Sequence, residues 1–87
     1  MERTFTITNK LGLHARAAAK LVQLMSRFES ECYITKDDNT VNGKSIMGVL
    51  TLAAAMGTEI HVRVEGPDEE AAMQAVEELI QNKFDES

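Results

Sequence analysis

The residues best suited to chemistry are five in a row, Gly12-Leu13-His14-Ala15-Arg16. An imidazole is a competent nucleophile near neutral pH, because its unperturbed pKa is about 6.5. His14 stands between a glycine loop and the start of a helical pattern. The first turn of a helix carries unpaired N–H groups, and the helix dipole adds partial positive charge. The amides of Ala15, Arg16 and Ala17 would therefore face a phosphate held on the ring. Arg16 supplies a fixed charge able to bridge phosphate oxygens. Phosphoryl transfer asks mainly for positioning and charge stabilisation. The segment suits a phosphoryl group accepted on His14, with donor and acceptor proteins supplying what remains. The alternative is a histidine at a helix start that does no chemistry.

A second segment is Asn42-Gly43-Lys44-Ser45-Ile46-Met47-Gly48. Ser45 reads as an N-cap. A phosphate on an N-cap serine is tolerated by the helix, so a modification there would regulate without unfolding, and its charge would repel an acidic partner. Met47 falls off the face shared by Ile46, Val49 and Leu50, where a methionine is an adaptable contact. Gly48 is costly inside a helix, with no reason visible at this level. His61 sits among polar neighbours and Cys32 points inward. Glu69-Glu70 and Glu77-Glu78 read as solvated faces. No spacing suits a metal, and no cofactor is implied.

The elements that must position these residues follow from periodicity. Thr4–Thr8 alternates polar and apolar, as a half-buried strand does. From Ala15 to Phe28, apolar Ala18, Leu21, Val22, Met25 and Phe28 keep helical spacing. Cys32–Thr35 and Thr40–Asn42 flank the turn signal Asp37-Asp38-Asn39 as a hairpin. Ser45 precedes a helical segment, Ile46 to Ala55, with Ile46, Val49, Leu50 and Ala53 on one face and Gly57 placed to end it. Glu59–Glu65 is the clearest strand. After Gly66-Pro67, Asp68 is placed to cap a helix with Glu69 and Glu70 in its first turn and Ala72, Ala75, Val76 and Leu79 as its buried stripe. Asp85-Glu86-Ser87 reads as a frayed tail. The order β-α-β-β-α-β-α, with Thr4, Thr6, Thr8, Tyr33, Thr35, His61 and Arg63 on one polar side, predicts an α+β open-faced sandwich. Its four-stranded antiparallel sheet is covered by three helices on one face and left to solvent on the other. Residues 1–87 read as one domain.

Composition excludes several classes. Residues 1–58 hold seven Lys/Arg and five Asp/Glu, whereas residues 59–87 hold two and nine, so the net charge of −5 comes from a basic half and a strongly acidic one. An acidic chain with no aromatic interleaving beyond Tyr33 argues against nucleic-acid binding. The His14 half, with Lys10, Arg16, Lys20, Arg27 and Lys44, is the better receiver of a phosphate or an acidic partner. A single cysteine, the absence of a long apolar run and Met1-Glu2-Arg3-Thr4 without a signal-peptide core point to a cytoplasmic protein with no membrane insertion. No long apolar face is left over, so a monomer is expected.

Two motifs, Gly12-Leu13-His14-Ala15-Arg16 and Asn42-Gly43-Lys44-Ser45-Ile46-Met47-Gly48-Val49-Leu50, give the whole chain a resemblance. It resembles the histidine-containing phosphocarrier (HPr) family of the bacterial sugar phosphotransferase system, whose element order is the one read above. The resemblance implies that His14 carries phosphate on Nδ1 and that Arg16 attends it. Enzyme I, charged by phosphoenolpyruvate, would be the donor and Enzyme IIA domains the acceptors. Ser45 matches the serine modified by HPr kinase/phosphorylase in bacteria that possess it. Ala17, Lys20, Met47 and Leu50 match the family's partner surface. Ala17 stands where the family usually has proline, which exchanges first-turn rigidity for one more N–H donor. Asn9-Lys10-Leu11-Gly12 and Lys83-Phe84-Asp85-Glu86 look like the nitrogen-related paralogue, whereas the Ser45 segment looks like the sugar-system members. The alternative function is a regulatory binding module controlled at Ser45 alone.

Overall fold

A computed structural model describes residues 1–86. Four strands, β1 (Glu2–Thr6), β2 (Glu31–Lys36), β3 (Asn39–Asn42) and β4 (Glu59–Glu65), form one antiparallel sheet in the order β1-β4-β2-β3. Three helices, α1 (Ala15–Met25), α2 (Ile46–Thr51) and α3 (Glu69–Gln81), complete the predicted order. This is the open-faced α+β sandwich. Along β4, Ile60, Val62 and Val64 are buried while His61 and Arg63 are only half-covered. Period-two alternation puts those two sets on opposite faces. Cys32 and Ile34 of β2 join the buried set with Leu21, Val22 and Met25 of α1 and Met73, Val76 and Ile80 of α3. Burial lifts the Cys32 thiol to about 11, so it packs as a neutral group. On the open face, Arg63 lies 4.8 Å over the Tyr33 ring.

Several boundaries move. β1 spans Glu2–Thr6 rather than Thr4–Thr8, and the chain beyond it is held by two bonds, Ile7 N–H to Thr58 O and Gly57 N–H to Ile7 O. Helix α1 stops at Met25, not Phe28, with Ser26 bonding back to the Val22 carbonyl through both N–H and Oγ. A serine hydroxyl that bonds back in this way competes with helix continuation. Helix α2 stops at Thr51 rather than near Ala55. Ala53 takes a left-handed φ of 49°, and the Ala54 carbonyl is drawn away to accept Leu13 N–H at 2.8 Å. Ile46, assigned to the buried face, is exposed, and Val49 is the only residue of α2 that is fully buried.

Helix α3 is rotated from its predicted stripe. Met73 and Ile80 are buried with Ala72 and Val76, whereas Ala75 and Leu79 are half-covered. Asp68 is the N-cap residue of α3, as expected, but its side chain makes no cap bond there. Its carboxylate instead accepts the N–H groups of Glu29 and Ser30 and the Ser30 hydroxyl. The Ser30 hydroxyl, followed by the Glu29 amide, holds the Asp68 carboxyl below its ordinary pKa range. The expected frayed tail is ordered through Glu86. Lys83, Phe84 and Asp85 form a turn with three successive left-handed residues, φ 54°, 56° and 62°, and Phe84 is completely buried. Ser87 of that prediction lies outside the described residues.

Candidate functional site

Gly12 has a φ of +63°, and a Cβ on it would lie 2.3 Å from the Ala54 carbonyl oxygen. Only glycine allows the loop before α1 to lie against the loop after α2 in this way. The Gly12 N–H is taken by Asn9 O and the Leu13 N–H by Ala54 O. The next residue, His14, arrives at the N-cap of α1 with an extended backbone, and its side chain does not cap the helix. The carbonyl of His14 accepts the Ala18 N–H, so the amides of Ala15, Arg16 and Ala17 precede the first intrahelical bond.

The imidazole is partly exposed, and its Nε2 meets Glu86 Oε2. The other Glu86 oxygen accepts Asn9 Nδ2 at 2.9 Å, and the same Nδ2 donates to Gly12 O at 2.8 Å. Asn9 is 1% exposed, and its Oδ1 is buried with no partner among the described residues. Leaving an acceptor so placed costs about 1–3 kcal/mol. The asparagine amide, then the His14 ring, hold the Glu86 carboxyl below its ordinary pKa range. No described residue bonds to His14 Nδ1 or to the Arg16 guanidinium, and Arg16 is exposed.

His14, Arg16, Lys10 and Lys20 line one depression with Asp85 and Glu86. Three cations from the loop and α1 thus line the depression, with two carboxylates on the side of the left-handed turn. The Lys20 ammonium donates to the Phe84 carbonyl at 2.9 Å and lies 3.5 Å from Asp85. It ties that turn to α1 while remaining partly exposed.

The remaining predicted residues divide. Met47 is 72% exposed and Leu50 is half-buried. Ala17 is 0% exposed. It belongs to the buried stripe with Leu21 and offers no surface to a partner, whereas Ala15 and Arg16 are exposed. Leu11, which lines the same depression, is 69% exposed, and Met56 is 57% exposed. Asn9 and Glu86, which the sequence marks only for their likeness to the nitrogen-related paralogue, also belong to the site. An asparagine three residues before a glycine was a local signal for the first, whereas Glu86 had none. His61 lies on the open sheet, bonded to Glu2 at 2.6 Å and facing Thr4.

Ser45 is the N-cap of α2, with its Oγ accepting Gly48 N–H at 3.1 Å. Gly48 now has an explanation. A Cβ there would stand 3.3 Å from both Ser45 Oγ and Val41 Cβ, so glycine lets the cap and β3 approach. Ser45→Ala should lower stability by about 1 kcal/mol, read as a shifted urea midpoint at constant slope. An unchanged midpoint would mean that the tertiary contacts of α2, not its cap, hold it.

A glycine loop that delivers a histidine to a helix N-terminus, on an open-faced sandwich, is an arrangement suited to an anionic group. A sequence profile described as the phosphotransferase system HPr component phosphorylation site matches residues 1–82. The phosphocarrier protein HPr of Xylella fastidiosa is 57% identical over 86 residues, covering 99% of this chain and 97% of that one. Among solved structures, HPr from Thermoanaerobacter tengcongensis superposes with a TM-score of 0.96 at 46% identity, covering 100% and 98%. A dimer of HPr from the same organism superposes at 0.80, again at 46% identity and covering 99% of each chain. The chain belongs to the HPr family of phosphocarrier proteins of the phosphotransferase system. No helix among the described residues is long and apolar enough to cross a membrane.

Proposed function

We propose that His14 accepts a phosphoryl group on Nδ1 from phosphorylated Enzyme I and passes it to Enzyme IIA proteins. The protein is then a stoichiometric intermediate rather than a turnover enzyme. One observation carries this reading. The imidazole is anchored through Nε2 while Nδ1 has no partner among the described residues, at the N-terminus of α1. There the amides at the start of α1, on exposed Ala15 and Arg16, and the Arg16 guanidinium, which has no partner among the described residues, suit the oxygens of a phosphoryl group. Exposed Met47, with Lys20 and Leu50, serves as the docking surface, and Ser45 is a regulatory phosphorylation site for a serine kinase where the host has one. The protein works in the cytoplasm as a single-domain monomer.

The test is intact mass after incubation with phosphoenolpyruvate and a catalytic amount of Enzyme I. A gain of one acid-labile phosphate is expected. No gain in folded protein with the cognate Enzyme I would overturn the carrier reading and leave a binding module controlled at Ser45.

A further inference from the structure

The pairing of Glu86 with His14 points to a role for the segment after α3 in the reaction itself. We infer that Glu86 is a positioning residue for phosphoryl transfer. It holds the proton of the His14 ring on Nε2, so that the lone pair of Nδ1 faces the incoming phosphorus and the charge of the phosphorylated ring is met by a carboxylate. The inference rests on the reading of His14 as the phosphoryl acceptor.

Three observations support it. An ionised carboxylate can only accept hydrogen bonds, so the nitrogen that meets Glu86 Oε2 must be the one bearing hydrogen. In a neutral ring the other nitrogen, Nδ1, then carries the lone pair. Next, the carboxylate is itself fixed. Its second oxygen takes Asn9 Nδ2, and that amide is buried at the expense of an unpaired Oδ1. That one amide nitrogen links the Gly12 carbonyl to the Glu86 carboxylate. Finally, Glu86 reaches the ring only because three successive left-handed residues, 83–85, turn the chain back toward α1.

The transfer then needs no proton movement. The Nδ1 lone pair forms the bond to phosphorus as the donor's bond to phosphorus breaks, its electron pair leaving with the donor. The ring becomes a cation that keeps its proton on Nε2, facing Glu86. On transfer to an acceptor the P–N bond breaks, the pair returns to Nδ1, and the ring is neutral again in its starting tautomer.

The experiment compares wild type, Glu86→Ala and Glu86→Gln in two readouts: the ring N–H signal of His14 in 15N-resolved NMR, and the initial rate of phosphate uptake from phosphoenolpyruvate and Enzyme I. Wild type should show a Nε2–H proton protected from exchange. Glu86→Ala should lose that signal and take phosphate about tenfold more slowly, the scale typical of losing a group that orients a functional histidine. Glu86→Gln, whose amide oxygen can still accept the proton, should keep the signal and recover part of the rate. A wild-type signal or a wild-type rate in Glu86→Ala overturns the positioning role and leaves the carrier reading standing. No phosphate on the wild type overturns both.

Discussion

His14→Ala should give a folded protein that takes no acid-labile phosphate from phosphoenolpyruvate and Enzyme I. The loss is expected to be complete because the substituted group is the proposed nucleophile, and the neighbours of His14 cannot replace it. Arg16, Lys10 and Lys20 stay protonated at neutral pH. The Asp85 carboxylate lies 3.5 Å from the Lys20 ammonium and that of Glu86 accepts Asn9 Nδ2, so neither is free to act as a nucleophile. His61 is held on the open sheet by Glu2 and Thr4, so His61→Ala should take phosphate at the wild-type rate and serves as the control. Stability should change by no more than about 1 kcal/mol, since His14 does not cap α1 with its side chain and its partner is a single carboxylate near the surface. Intact mass with and without acid treatment, beside a thermal melt, reads both effects. Acid-labile phosphate on folded His14→Ala would sink the assignment.

The fold was legible where periodicity was strong. β4 alternates without a break, and α1 and its buried stripe follow from Ala18, Leu21, Val22 and Met25. The element order followed, and with it the covered and open faces of the sheet. Ends were misread where a long-range partner outbid a local preference. Asp68 has the type and place of an N-cap, but its carboxylate is taken by Ser30 and Glu29, 38 and 39 residues away. Ala53 turns left-handed without being glycine or asparagine, because Ala54 is needed against Leu13. Ala17 is a different case. The resemblance placed it on the docking surface, and the stripe read from Ala18, Leu21, Val22, Met25 and Phe28 did not include it, yet it is buried beside Leu21. Around His14, the loop and helix end were visible in the residues themselves. Asn9 and Glu86 stood out only as part of the paralogue-like motifs, and their place in the site was not legible, since a contact spanning 72 or 77 residues leaves no pattern in the chain.

Phe84→Ala is expected to be the most damaging single change to stability, and to act on the site as well. The ring is wholly buried, and truncating a buried phenylalanine costs about 3–5 kcal/mol. A domain of this length has roughly 5–13 kcal/mol in all, so a large share would be lost. Left-handed backbone costs about 1–2 kcal/mol per non-glycine residue, and three such residues stand in succession at 83–85. That strain is of the same order as the gain from burying the ring, so the ring is what makes the turn worth forming. Once it is removed, the turn should relax toward ordinary backbone. The relaxation relieves strain and keeps the measured loss near the lower figure, about 3 kcal/mol. It also frees the amides of Asp85 and Glu86, bonded to Asn82 O and Lys83 O. Hydrogen exchange at those two amides should therefore accelerate far more than in the sheet, and the His14 ring N–H signal should vanish, as is expected of Glu86→Ala. If stability falls by about 3 kcal/mol while both amides stay protected, the turn is held from outside by the Lys20 ammonium on the Phe84 carbonyl. Lys20→Met would then be the change that releases Glu86 from His14, and the phenylalanine would serve the core alone.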